Sequence, residues 1–149
     1  MDELEQSIKT HPFLVGLEPA HVQLITASAT SVRFRAGELL IREGEREDTL
    51  YLILQGTITI EVTRPGSAPS CVETIGAGDV LGVAQLVPAT AHLDCRARET
   101  VAALAVDNAS LQRAMDADPR FGYAIVTRML ARTYHRLARV RLQQLDVYR

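Results

Sequence analysis

From residue 31 onward the spacing of apolar residues changes from helical to alternating, and glycines cut the alternation into short runs. Val32 and Phe34 alternate with Arg33 and Arg35, and Gly37-Glu38 turns the chain into Leu39-Leu40-Ile41. After the charged turn around Gly44, Thr49 to Leu54 is a continuous apolar run suited to a strand buried on both faces. Gln55-Gly56 reads as a tight turn, and Ile58, Ile60 and Val62 then alternate with Thr57, Thr59 and Glu61. Arg64 to Ser70 is a hairpin loop, Cys71 to Ile75 a further strand, and Gly76 and Gly78 frame the next turn. Leu93, Cys95 and Ala97 alternate with Asp94, Arg96 and Arg98, and Val101 to Val106 is a buried run. Short strands separated by glycine turns define a mainly β fold: a double-stranded, jelly-roll-like β-roll over 31–106.

Both flanks are helical. In 1–30, Leu4 and Ile8 lie four apart, and Val22, Leu24, Ile25 and Ala29 follow a helical period. His11 to Leu17 forms an apolar turn between them, and Pro19 suits an early helix position after Glu18. In 107–149, Asp107 caps a short helix through Met115. Asp118-Pro119 then starts a long helix with no interruption before Leu145. That helix is roughly 40 Å long at 1.5 Å per residue, so part of it projects from the roll or pairs with a second copy. It carries an apolar seam of Leu130, Leu137, Ala138, Leu142 and Leu145, suited to a homodimer. It also carries a basic stripe of Arg128, Arg132, Arg136 and Arg139. The stripe reads first as a solvated face that complements the helix dipole; the alternative is a docking surface for an acidic partner or nucleic acid.

Composition narrows the function. A length of 149 residues with 47% hydrophobic content suits a single domain, 1–149. No apolar stretch reaches membrane-spanning length. The net charge of −2, aromatic content of 5% and lack of Trp argue against nucleic-acid binding. Two cysteines, Cys71 and Cys95, are too few for a disulfide scaffold, and the acidic N-terminus is unlike a secretory signal, so a cytoplasmic location is expected. His92 and Cys95, even with Cys71, fall short of a structural zinc or iron–sulfur ligand set, and the phase of Cys95 makes it a core thiol; no metal site is expected. Arg96 and Arg98 should point outward as solvated strand residues, the alternative being a ligand-contacting role. No nucleophile elbow, P-loop or paired carboxylates suggest an enzyme.

The order of helix, β-roll and long helix resembles the cyclic nucleotide-binding domain, the sensor domain of catabolite-activator and FNR-type regulators and of cyclic-nucleotide-dependent kinases. The resemblance rests on His11-Pro12-Phe13 to Leu17, on Phe34, Ala36-Gly37-Glu38 and Leu40, and on Glu43-Gly44-Glu45. It continues through Asp48 to Ile53 with Tyr51, Gly56, Gly76-x-Gly78-Asp79 and Gly82. It implies a ligand site at Gly82, Val83, Ala84, Gln85, Leu86, Ala91, His92 and Leu93. There the family carries a Glu for the ribose and an Arg followed by Ser or Thr for the cyclic phosphate. This chain has Val83 at the Glu position, Ala91 near the Arg position and His92 after it. A lost charged partner for a buried phosphate costs several kcal/mol, about two orders of magnitude or more in affinity. The expectation is a non-enzymatic, dimeric regulatory or sensor module acting on a partner protein. Cyclic nucleotide is its only implied cofactor, bound weakly or not at all in the family mode. The alternatives are a ligand-free protein-interaction module and the sensor half of a transcription regulator, since no DNA-binding domain follows the last helix.

Overall fold

A computed structural model describes residues 2–82 and 90–147. Two helices, α1 (Glu3–Thr10) and α2 (Pro19–Ser28), precede eight strands. These are β1 (Ala29–Phe34), β2 (Leu39–Ile41), β3 (Thr49–Gln55), β4 (Ile58–Val62), β5 (Ser70–Ile75), β6 (Val80–Leu81), β7 (Asp94–Ala97) and β8 (Val101–Asp107). Helices α3 (Asn108–Ala117) and α4 (Pro119–Val147) follow. The strands form two four-stranded antiparallel sheets, ordered β1-β8-β3-β6 and β2-β7-β4-β5. The β-roll with flanking helices expected from the sequence is therefore the fold.

The first sheet is covered on both sides, which explains the unbroken apolar run in β3. Leu50 and Leu52 join Leu104, Val106 and Val80 in a core shared with the helices. Ile53, with Tyr51 packed beside it, faces the interior of the roll with Ala103, Val101 and Leu81. Side chains alternate across a strand, so a strand between two cores must be apolar at every position.

Three boundaries differ from the sequence reading. Gln55 belongs to β3, which pairs with β8 as far as Gln55, across a register shift, so the turn starts at Gly56. Ala29 opens β1 opposite Val106 rather than closing α2. Leu93 lies just ahead of β7. The two-residue strand β6, paired with Tyr51 and Leu52, is too short for any alternation to announce it.

The helix starts follow local chemistry. Asp2 accepts a hydrogen bond from the Glu5 amide at 2.7 Å, and Asp107 accepts one from Ser110 at 2.9 Å. Asp118 accepts from the Arg120 amide at 3.1 Å, and Pro19 occupies the first turn of α2. Each device satisfies or removes an amide that a helix start leaves unpaired. The first part of α4, 29 residues long, buries Phe121, Ile125 and Met129 in the helical core. The turns from Arg132 to Val140 lie against the roll.

Candidate ligand pocket beneath the long helix

The register of the second sheet aligns four side chains in one row. Ile41 on β2 pairs with Cys95 on β7, Cys95 with Ile60 on β4, and Ile60 with Glu73 on β5. This row floors a cavity of about 340 Å³ inside the roll. Leu81, Gly82 and Leu93 form its wall, Glu47, His92 and Val72 its rim, and Arg136 and Val140 of α4 its roof. The volume lies at the small end of the roughly 300–1,000 Å³ of ligand pockets. Val72 reaches the rim because β5 carries a bulge: Ile60 pairs with Glu73 but Glu61 with Cys71, leaving Val72 as the extra residue.

Glu73 is the charged member of an otherwise uncharged row. Its side chain is 7% exposed and lies between two arginines of α4. Arg139 Nη2 stands 2.7 Å from Oε1, and Arg136 Nε stands 3.6 Å from Oε2. Neither contact has hydrogen-bond geometry: Glu73 Oε1 and Arg136 Nε are buried with charge partners but without hydrogen bonds among the described residues. Arg136 also donates from Nη2 to the Val80 carbonyl at 3.0 Å. One turn earlier, Arg132 Nη1 pairs with Asp79 Oδ1 at 3.2 Å, and Arg128 donates to the Val15 carbonyl at 3.1 Å.

The basic stripe is thus neither a solvated face nor an open docking surface. Arg132, Arg136 and Arg139 hold α4 on the roll, and Arg128 ties it to the turn before α2. The sequence showed the stripe without its counter-charges, because the acids that meet it come from β5 and the turn before β6. Arg132 and Asp79, for instance, lie 53 positions apart.

Burial shapes the remaining polar groups. It raises the Glu47 carboxyl above the usual carboxylate range, an effect that the nearby His92 opposes. It also pushes the Cys95 thiol up to about 12, again with desolvation as the main cause. Cys95 is therefore the buried core thiol expected from its phase. Arg96 and Arg98 also behave as expected. Arg98 is exposed, and Arg96 turns to Glu61 at 3.2 Å and to the Gly37 carbonyl at 2.8 Å, away from the cavity.

Of the residues marked in the sequence, Gly82, His92 and Leu93 line the cavity. Gly82 is there for a steric reason: its φ is +88°, and a Cβ would stand 2.3 Å from the Thr49 carbonyl oxygen. Ala91 is buried, and its backbone is tied to the Gly44 turn, with its amide 2.8 Å from the Glu45 carbonyl and its carbonyl 2.9 Å from the Gly44 amide. Ala91 therefore brings only a methyl group near the position that the resemblance gives to the family's Arg. Val83, Ala84, Gln85 and Leu86 lie outside the described residues.

The sequence reading missed Glu73 and Glu47. The signal for Glu73 was legible, since it shares the inward phase of Ile75 on β5. Glu47 sits in a charged turn with no periodicity to single it out. Among the described residues, no group of three or more His, Cys, Asp or Glu side chains is placed to hold a metal ion, and no helix is long and apolar enough to cross a membrane. A larger open groove of about 740 Å³ lies between α1 and residues such as Ser31, Arg33 and Ala102, away from this site.

On the side of α4 away from the roll, Leu130, Leu137 and Leu142 are exposed, together with Tyr123, Val126 and Tyr134. Ala138 is half-buried, and the side chain of Leu145 lies outside the described residues.

A cavity inside an eight-stranded roll, roofed by a long helix, defines the architecture of a cyclic nucleotide-binding module. Residues 31–118 match the cyclic nucleotide-binding domain family, and the chain belongs to that family. It is 26% identical over 84 residues to the cAMP-dependent protein kinase regulatory subunit of Dictyostelium discoideum, covering 56% of this chain and 26% of that protein. The chain thus spans about a quarter of that relative's length. A cyclic nucleotide-binding domain from Methylobacillus flagellatus superposes with a TM-score of 0.84 at 18% identity, over 95% of this chain and 83% of that one. The regulatory subunit of a cAMP-independent protein kinase A from Trypanosoma cruzi, solved bound to guanosine, superposes with a TM-score of 0.64 at 25% identity, over 79% of this chain and 45% of that one.

Proposed function

We propose that this chain is a non-enzymatic sensor module that binds cyclic nucleotides weakly or not at all in the family mode and acts as a dimer through α4. The observation that carries this reading is the charge supply of the cavity. From Pro65 to Cys95 the chain contains no Lys or Arg, so the residues that follow Gly82 in sequence bring no lysine or arginine to a phosphate. The described cation that lines the cavity is Arg136, and it already faces Glu73. A buried anion needs a free cation or several aligned amides. The Trypanosoma cruzi relative was solved bound to guanosine, a nucleoside without a phosphate, which supports an uncharged ligand for a roll of this kind.

Isothermal titration with cyclic AMP and cyclic GMP tests the proposal. The expected result is no saturable binding below the millimolar range; micromolar binding of either would overturn it. The exposed apolar face of α4 favours a second reading, a ligand-free interaction module. Thermal-shift measurements across nucleosides, nucleotides and small anions separate the two, because a ligand that binds only the folded state raises its melting temperature.

A further inference from the structure

We propose that Glu73 is a built-in counter-anion: it neutralises Arg136 and Arg139, holds α4 over the cavity without a ligand, and reserves the cavity for uncharged ligands. This rests on the reading of the cavity as a ligand site and assigns the residue that decides its ligand class.

Three observations converge on Glu73. It occupies an inward position in a row otherwise made of Ile41, Cys95 and Ile60, where a carboxylate would be expensive to bury alone. Its oxygens point to the two arginines at 2.7 and 3.6 Å. Both arginines belong to the helix that roofs the cavity, so the ion pairs connect floor and roof.

The geometry places a carboxylate in the cavity lining beside Arg136, the described arginine that lines it. An incoming phosphate would share Arg136 with Glu73 and meet the Glu73 charge at close range, inside a cavity where water screens little. The half-buried Glu47 on the rim adds a second acidic group and no cation. A neutral ligand displaces no ion pair and can use the apolar wall of Ile60, Leu81 and Leu93. Glu73 Oε1 and Arg136 Nε are both buried and lack hydrogen bonds among the described residues, so charge attraction holds this contact and an approaching anion would compete for it directly.

The test is titration of wild type and Glu73→Gln with cyclic AMP and with adenosine, its uncharged counterpart, followed by calorimetry and thermal shift. Gln keeps the size and removes the charge, so Arg136 and Arg139 lose their counter-anion. The expected result is at least a tenfold gain in cyclic AMP affinity for Glu73→Gln, with adenosine affinity changed less than threefold. Amide exchange in α4 around 136–142 should speed up in the variant and slow again on adding cyclic AMP. Equal cyclic AMP affinity in the two proteins overturns the role of Glu73. If wild type binds cyclic AMP at micromolar concentration and the variant binds tenfold tighter, the proposed function fails while the role of Glu73 stands. If Glu73→Gln does not fold, Glu73→Met carries the test: it removes the charge at similar length and should give the same gain in cyclic AMP affinity, and no gain overturns the role.

Discussion

The imidazole of His11 donates from Nε2 to the carbonyl of Ile53 at 3.1 Å, joining the N-terminal turn to β3 across 42 positions. Its Nδ1 accepts the Phe13 amide at 3.1 Å, so both ring nitrogens are used by the neutral form with its proton on Nε2. Burial holds the His11 pKa below its ordinary value of 6.5; Arg132 pushes the same way, while the bond to Ile53 and the charge of Asp79 push against it. A depressed base takes up a proton in the unfolded chain before the folded one. The stabilisation is therefore complete above pH 6.5 and is lost as the pH falls from 6.5 toward the folded value. The expected slope from this residue is at most about 1.4 kcal/mol per pH unit. Urea midpoints of wild type and His11→Gln between pH 5 and 8 check it: the wild-type curve should fall more steeply below pH 6.5. Parallel curves would remove His11 from the pH response.

Substitution of Gly82 should be costly for reasons independent of any ligand. Its backbone is left-handed and its Cα faces the Thr49 carbonyl, so Gly82→Ala combines conformational strain with a clash against backbone. We expect a loss of roughly 2–4 kcal/mol. Gly44 shares the left-handed φ, at +86°, but a Cβ there meets nothing within 4 Å. Gly44→Ala should cost only about 1 kcal/mol. Denaturation of the two variants gives the comparison, and equal losses would mean that the contact with Thr49 yields freely.

How far the sequence disclosed this molecule depended on the range of each interaction. The strands were legible because alternation and turn glycines act over a few residues, and Asp107 and Asp118 announced their helices by caps three residues long. β6 escaped because two residues carry no period. The role of the arginine stripe escaped because its partners, Glu73 and Asp79, lie on strands and turns far back in the chain. Gly82 was legible as a position, but the reason for it, the carbonyl of Thr49, appears only when β3 is placed beside it. The cavity floor needed the register of four strands, which no local pattern encodes.

The two cysteines should differ sharply in reactivity. Cys71 is exposed, whereas Cys95 is buried in the cavity floor with its thiol pushed up to about 12. At pH 8 only roughly one Cys95 in ten thousand is thiolate. Alkylation followed by mass spectrometry should therefore label Cys71 in the Cys95→Ser variant as fast as in wild type. In Cys71→Ser, labelling should fall by two orders of magnitude or more. Comparable rates for the two thiols would contradict the burial of Cys95. A ligand seated in the cavity should slow Cys95 further and leave Cys71 unchanged.

The exposed side of α4 supplies the last prediction. Tyr123, Val126, Leu130, Tyr134 and Leu137 succeed one another at intervals of three and four, the spacing of a coiled-coil seam. They remain exposed, at 68% for Leu130 and 53% for Leu137, because the opposite side of the helix is taken up by the arginines that hold it to the roll. A second copy of α4 would cover this side without disturbing those ion pairs. Light scattering should give twice the chain mass of 16.4 kDa for wild type. In Leu130→Glu/Leu137→Glu, two charges would be buried at the seam without partners, which should raise the dimer dissociation constant by roughly 100-fold or more. Gln112→Glu on α3 should leave the mass unchanged. A wild-type monomer at high concentration, or a double variant that stays dimeric, would rule out this seam as the interface.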